Sequence, residues 1–315
     1  MSGGNTLPVM EAARWRIIEE RGGVLDLSAR AKWLLTGSDR VRYLNGQCTN
    51  DIRRAGPRQT VYACVTDVKG RVCADIVARA TEDGDGLLVD APAAAADTLG
   101  PRLEHYIVAD DVEMEEVTGQ WRLLHFFGPA AQFAPEDAAS GDRLGCEGRD
   151  VWLPANADAP SIPDAELWVS DSEAEVLRVL RGVPAYPAEL NDGVFPPEAG
   201  LEERAMDFAK GCYIGQEILS RIRTTRKMPR VLVRWQAEGA GGGEPPRPGA
   251  ELAPEASGGA AVGAVTSAVI HPVSGLPCGL AFLKQGAAAQ HSRLLVGGEV
   301  VTIQTQWPAP PHPVS

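Results

Sequence analysis

The sequence predicts an α+β protein in two parts, a mixed helix-and-strand domain over residues 8–229 and a small β-barrel over 230–307. Three observations predict it. The chain has 315 residues, which at roughly 150 residues per domain suggests two domains. Helix signals with caps and stops are interspersed with β-like runs as far as Pro229. Beyond Arg230, five short β-like runs bounded by Gly/Pro turns follow within 80 residues, the spacing of a barrel or sandwich. Residues 308–315 are Pro-rich and expected to be a disordered tail, and no helix is expected after residue 240.

Taken in order, Glu11 to Arg21 sets Trp15, Ile17 and Ile18 among charges and ends at Gly22-Gly23, a helix with a glycine stop. Val24–Ser28 and Lys32–Thr36 read as strands, and Ser38 is expected to cap a helix over Asp39–Asn45. Gln59–Thr66 and Arg71–Arg79 read as a hairpin closed by Asp67-Val-Lys-Gly70. A strand follows at Leu87–Asp90, a helix over Pro92–His105, and strands near Val112–Val117 and Trp121–Phe127. Pro129–Pro163, rich in Ala, Pro, Gly and Asp, reads as loop around one strand at Val151–Leu153. Ser172-Glu-Ala-Glu175 has the form of a capping box opening a helix that ends at Arg181 before Gly182. Pro184–Gly200 is a long loop, a length usual for functional or disordered segments. In the barrel, Gly297-Gly298 is a two-residue hairpin signal.

Net charge is −12 from 30 basic and 42 acidic residues, which argues against nucleic acid or an anionic membrane as a partner of the whole surface. Any anionic ligand needs a local basic patch. Six cysteines without a C-x-x-C pair or zinc-type spacing read as reduced thiols of a cytoplasmic protein with no metal site. No stretch has the apolar length of a membrane span.

The most informative segment is Lys210-Gly-Cys-Tyr-Ile-Gly-Gln-Glu217. Its glycines let backbone approach a ligand, and Ile218, Leu219 and Ile222 follow with helical spacing. Cys212 is therefore expected near a helix N-terminus, where the dipole and Lys210 favour thiolate. Burial by Ile214 and Ile218 would act in the opposite direction, and packing is the alternative role. Next comes a basic run, Arg221, Arg223, Arg226, Lys227 and Arg230, either a dock for carboxylates or a solvated face partly paired through Glu217 and Arg221.

This segment resembles the signature of the YgfZ-type folate-binding proteins, in the superfamily of the glycine-cleavage aminomethyltransferase (T-protein). Val24–Ser28, Leu35–Asp39, Thr49-Asn-Asp51, Val61-Tyr-Ala63 with Asp67–Arg71, Phe195–Leu201, Gly263–Ser267 and Gly279–Phe282 are similar to further pieces of that pattern. The resemblance implies an aminomethyltransferase-like folate-binding domain of two intertwined α+β subdomains, followed by the barrel. It implies tetrahydrofolate or a one-carbon derivative as cofactor, and iron–sulfur client or assembly proteins as partners.

By the same resemblance Asp75, thirteen residues after Tyr62, lies beside the folate N10 nitrogen, where a carboxylate can orient or accept a proton. Alternation alone leaves Asp75 as a solvent-facing strand residue. Cys212, Lys210 and Asp75 are the candidate reactive residues. Tyr62, Asp75, Tyr186, Glu198, Tyr213, Gln216, Glu217, Arg221 and Arg223 are the candidate folate contacts. One departure stands out: the transferase pattern R-x-E-x-G reads Arg178-Val-Leu-Arg-Gly182 here, and Leu180 cannot hydrogen-bond a pterin. Three functions are therefore carried forward: a tetrahydrofolate-binding factor that assists assembly or repair of iron–sulfur clusters, a folate-dependent aminomethyltransferase, and a non-catalytic scaffold with a decayed folate pocket.

Overall fold

The computed structural model describes residues 6–158, 160–239, 244–255 and 260–304, so the expected tail at 308–315 lies outside the described residues. The helices and strands run α1 (Ala12–Arg21), β1 (Gly23–Asp26), β2 (Ala31–Thr36), α2 (Arg40–Gln47), β3 (Val61–Thr66), β4 (Val72–Ala80) and β5 (Leu87–Ala91). Then come α3 (Ala96–His105), β6 (Glu113–Glu116), β7 (Trp121–Phe127), β8 (Ala139–Asp142), β9 (Glu147–Pro154), β10 (Trp168–Val169) and α4 (Asp171–Arg181). The remainder is α5 (Glu202–Ala205), α6 (Gln216–Thr225), β11 (Arg230–Ala237), β12 (Glu251–Ala253), β13 (Gly263–Ile270), β14 (Pro277–Lys284), α7 (Gln285–Gln290), β15 (Arg293–Val296) and β16 (Glu299–Gln304).

Contacts group the chain into two compact units. The larger comprises Arg21–Trp168 and Ala185–Arg226. The other comprises the segment ending at Glu20, Val169–Pro184 and the segment from Lys227 onward. This grouping differs from a linear cut near Pro229, because most of α1 and all of α4 go with the barrel strands. Arg14 of α1 pairs with Glu173 of α4 at 2.7 Å.

The larger unit holds two five-stranded sheets, ordered β3-β4-β5-β2-β6 and β10-β1-β7-β9-β8. The first buries Trp33, Leu35, Ala63, Val65, Ile76 and Val89 against Tyr43 and Leu44 of α2 and Leu99 and Leu103 of α3. The second buries Val24, Leu124, Phe126 and Val151. Leu88 of β5 packs with Leu123 of β7 and Trp152 of β9, joining the two sheets.

A chain of buried ion pairs joins the same sheets. Asp90 on β5 is fully buried and accepts hydrogen bonds from Arg30 and, in bidentate fashion, from Arg143 at 2.7 and 2.8 Å. Arg143 also donates to Asp150 of β9, at 3.0 Å from Nε, and Asp150 Oδ1 lies 2.7 Å from Nδ1 of His125 on β7. Burial by itself would raise both carboxyls, but the arginines on Asp90, and Arg143 with His125 on Asp150, outweigh it and hold both below the usual carboxylate range.

In the other unit, six strands close a barrel in the order β11-β14-β13-β12-β15-β16. Val233, Trp235, Ala281, Leu283, Leu294 and Val301 fill it. Gly279 is obligatory there, since a Cβ would sit 1.9 Å from the Ser267 carbonyl and 2.8 Å from the Trp235 ring. The Gly297-Gly298 turn pairs Val296 with Glu299, and both glycines have positive φ, as a two-residue hairpin requires.

Four sequence expectations are corrected. Ser38 does not cap α2; its hydroxyl donates to Asp111 at 2.7 Å, while Asp39 takes the cap position. The capping box on α4 is Ser170 with Glu173. Two S-x-x-E frames overlap there, and Glu175 is instead engaged by Arg178. The stretch 129–163 holds β8 and the eight-residue β9 rather than one short strand. Finally, the short helix α7 falls after residue 240, filling the connection between β14 and β15.

Removing Arg143 would leave buried Asp150 with only the His125 ring and buried Asp90 with only Arg30. Arg143→Met is therefore expected to cost about 3–5 kcal/mol, measured by urea denaturation. Because the folded carboxyls are depressed, the stability they contribute is present above about pH 4 and is lost as pH falls through their folded values. Denaturation midpoints recorded across pH 2–7 check that direction.

Candidate functional site

The β3–β4 hairpin carries the first part of the site. Pairing places Cys64 opposite Asp75 and Tyr62 opposite Val77. Asp75 is only 8% exposed, so the solvent-facing reading fails. Tyr62, half-buried, hydrogen-bonds the Asp75 carboxyl. Burial raises the Asp75 carboxyl above its ordinary value, opposed by the positive charge of Arg30. Burial and the Asp75 charge together push the Tyr62 hydroxyl well up, so Tyr62 stays a neutral donor. Among the described residues, Asp75 Oδ1 has no hydrogen-bond partner although it is buried.

The second part is the turn before α6. Gly70, at the hairpin end, and Gly215, the N-cap of α6, face each other. A Cβ on Gly215 would lie 2.7 Å from both the Gly70 Cα and the Asp67 carbonyl. The Thr66 hydroxyl donates to the Ile214 carbonyl at 2.6 Å. This close approach is why both glycines are needed, and it docks the 210–217 turn onto the hairpin.

Lys210 is buried, and its ammonium donates to the carbonyls of Asn45 and, at 2.7 Å, Cys48. Those carbonyls end α2, where a cation also complements the helix dipole. Burial lowers the Lys210 pKa, with the Asp51 charge opposing. The Lys210 ammonium thus caps α2. Cys212 itself is exposed, which removes burial by Ile214 and Ile218. It lies three residues before Gly215, the N-cap of α6. Tyr213 is buried between the two parts. The Lys210 ammonium stands 5.0 Å from its ring centroid, burial pushes its hydroxyl up, and that hydroxyl has no partner among the described residues.

The other predicted contacts divide. Gln216 accepts from the Tyr213 amide at 3.3 Å and so fixes the turn. Glu198 is 2% exposed and accepts from the Phe195 amide at 2.9 Å, capping its own short helical turn. Tyr186 packs on the core of the first sheet. Glu217, Arg221 and Arg223 lie exposed on α6, with Arg223 stacked 4.1 Å from the Phe208 ring centroid. Arg226 pairs with Glu202 at 3.0 Å, while Lys227 and Arg230 belong to the other unit. Leu180 is also in that unit. Sequence reading missed Arg30, Asp90, Arg143, Asp150 and His125; for Asp90, His125 and Asp150 the local signal was a polar residue within a strand.

Comparison with known proteins fits this geometry. Residues 10–139 match the family model described as the GCVT N-terminal domain. The crystal structure of glycine cleavage system aminomethyltransferase T from Bartonella henselae superposes with a TM-score of 0.76, covering 90% of this chain and 84% of that one at 16% identity. The chain has an aminomethyltransferase-like fold. Among curated relatives, an aminomethyltransferase of Rubrobacter xylanophilus is 29% identical over 89% of this chain and 82% of its own length. A mitochondrial iron-sulfur cluster assembly factor IBA57 homolog of Phaeosphaeria nodorum is 28% identical over 72% of this chain, which spans 59% of that relative. Among the described residues no helix is long and apolar enough to cross a membrane.

Two outcomes follow from this geometry. Lys210→Met leaves two backbone carbonyls without their donor and is expected to destabilise by about 1–3 kcal/mol, whereas exposed Cys212→Ser should stay within about 0.5 kcal/mol of native; chemical denaturation distinguishes them. Asp75 has a raised folded pKa, so its ionisation costs stability at neutral pH. Asp75→Asn should therefore raise Tm at pH 7, and the gain should vanish below about pH 4, where both states are protonated.

Proposed function

We propose that this chain binds tetrahydrofolate, or a one-carbon derivative of it, and assists assembly or repair of iron–sulfur clusters in client enzymes. The observation that carries the folate reading is the buried, unpartnered Asp75 Oδ1 beside Tyr62. An acceptor without a donor is costly, and a reduced pterin supplies N–H donors. Tyr213 adds a buried hydroxyl in the same condition. The residues fit the cofactor: Asp75 would orient a folate N–H or hold its proton, and Tyr62 would keep the carboxyl in place. Folate supplies a one-carbon unit when it carries one.

Cluster maintenance is favoured over aminomethyl transfer by two residues. Leu180 replaces the glutamate that pairs with the pterin in the transferase pattern, and Cys212 presents an exposed thiol on the turn that Lys210 anchors. A lone thiol supplies one ligand, so a cluster or iron ion would be cargo shared with a partner's ligands. The iron–sulfur assembly relatives support this reading. Aminomethyl transfer is the second reading, favoured by the 82% of the Rubrobacter xylanophilus relative that the chain covers.

Calorimetric titration with tetrahydrofolate tests the first half. Native protein and Cys212→Ala should bind alike, and Asp75→Ala at least tenfold more weakly. Restoration of an iron–sulfur client enzyme in cells lacking this protein tests the second half, and Cys212→Ala should fail there. Aminomethyl transfer to a lipoyl carrier protein would establish the second reading instead. Absence of folate binding together with full client activity in Cys212→Ala would leave the scaffold.

A further inference from the structure

Among the described residues of the barrel unit, one half-buried arginine, Arg234, is without an ion-pair or hydrogen-bond partner. On β11, Val233, Trp235 and Ala237 point into the barrel, so Arg234 and Gln236 lie on its outer face. Gln304 is the cross-strand neighbour of Arg234 on β16, and Cys278 is that of Gln236 on β14. With His271 and with Leu180 of α4, these side chains line a shallow, open recess.

Charge in the recess is one-sided. Among the described residues no carboxylate lines it. Burial lowers the Arg234 pKa, and the sole opposing influence is the Cys278 thiol. Burial pushes that thiol up to about 12, so it is neutral and no counter-ion. Among the described residues Arg234 makes neither an ion pair nor a hydrogen bond. Capping of α4 does not explain it either, because the Gly182 and Val183 amides already serve the Arg178 and Val179 carbonyls. His271 adds a donor. Its Nδ1 accepts from the amides of Val273 and Ser274, both at 3.2 Å, which places the proton of the neutral ring on Nε2.

We propose that this recess is a binding site for a small oxyanion, a carboxylate or a phosphate group, received by the Arg234 guanidinium, the His271 ring and the amides of Gln236 and Gln304. A planar guanidinium matches either group in bidentate fashion. Half-burial strengthens the attraction beyond that of a surface arginine. The recess is shallow and open, so it would receive the charged end of an anion at its mouth rather than enclose a whole molecule. The folate candidates on the β3–β4 hairpin and the signature turn lie in the other unit, and of the residues used in the folate argument Leu180 alone lines this recess.

The test follows the arginine Nε–H resonances of the full-length protein by ¹H–¹⁵N NMR, titrating acetate and inorganic phosphate separately at constant ionic strength. The Arg234 resonance should shift saturably with at least one of them. Arg234→Gln should weaken binding at least tenfold, measured on neighbouring backbone amides, without lowering Tm, since the native arginine has no partner to lose. Arg293→Gln, which removes a barrel arginine paired with Glu238, should bind like native protein. Saturation by acetate alone assigns a carboxylate site, by phosphate alone a phosphate site, and by both a general oxyanion site. If Arg234→Gln fails to fold, the double variant Gln236→Leu, Gln304→Leu takes its place with the same tenfold threshold. Shifts that never saturate with either anion, or that persist undiminished in the variant used, overturn the proposal.

Discussion

The fully buried Asp90 carboxylate is the interaction on which the larger unit depends. It draws Arg30 and Arg143 to itself, and Arg143 in turn draws Asp150 and, through it, His125. Two sheets are thereby tied by charge-assisted hydrogen bonds at the place where Leu88, Leu123 and Trp152 tie them by packing. Packing alone tolerates sliding; a bidentate arginine between two fixed carboxylates does not. The net energy of such a set is small or even negative relative to an apolar core, so its contribution is a unique registration of β5 against β7 and β9. That registration reaches the site, because Arg30, held by Asp90, is the positive charge that opposes the burial of Asp75.

The signature turn has two jobs divided among neighbouring residues. Lys210, Gly215 and Gln216 are structural: one caps α2, one lets the hairpin approach, and one fixes the Tyr213 amide. What they hold in place is Tyr213, buried toward the hairpin, and Cys212, turned outward. In three dimensions Lys210 anchors the turn and Cys212 presents an exposed thiol. The ammonium is engaged by helix carbonyls, which separates the question of what Cys212 does from any activation by Lys210.

Local chemistry made the hairpin, the glycine turn at 297–298 and the signature legible in the sequence, because turn residues and glycine act on their immediate neighbours. Tyr62 and Asp75 were legible only through resemblance, since alternation places Asp75 on a face without saying whether that face is covered. The ion-pair ladder was not legible at all. Arg30 and Asp90 are 60 residues apart, and Arg143 and Asp90 are 53 apart. Arg143 itself sits in a Gly/Asp-rich stretch that reads as loop. The same reason hid the assignment of α4 to the barrel unit: its cap and stop are local signals, whereas Arg178 finds Ser267 at 2.7 Å across 89 residues of chain.

Two arginines bring the physical distinction between structure and site into focus. Arg143 and Arg234 are both withdrawn from water and both flanked by strands. Around Arg143 the fold supplies two carboxylates, and every nitrogen of the guanidinium is engaged. Around Arg234 it supplies a neutral thiol, two amides and an imidazole, none of which hydrogen-bonds it. Desolvating a cation without compensation works against stability, so a side chain whose role was only to support the barrel would be better served by an apolar residue there. The Asp75 carboxylate presents the same imbalance with opposite sign, an acceptor left without its donor. In each unit the uncompensated group lies beside a packed framework.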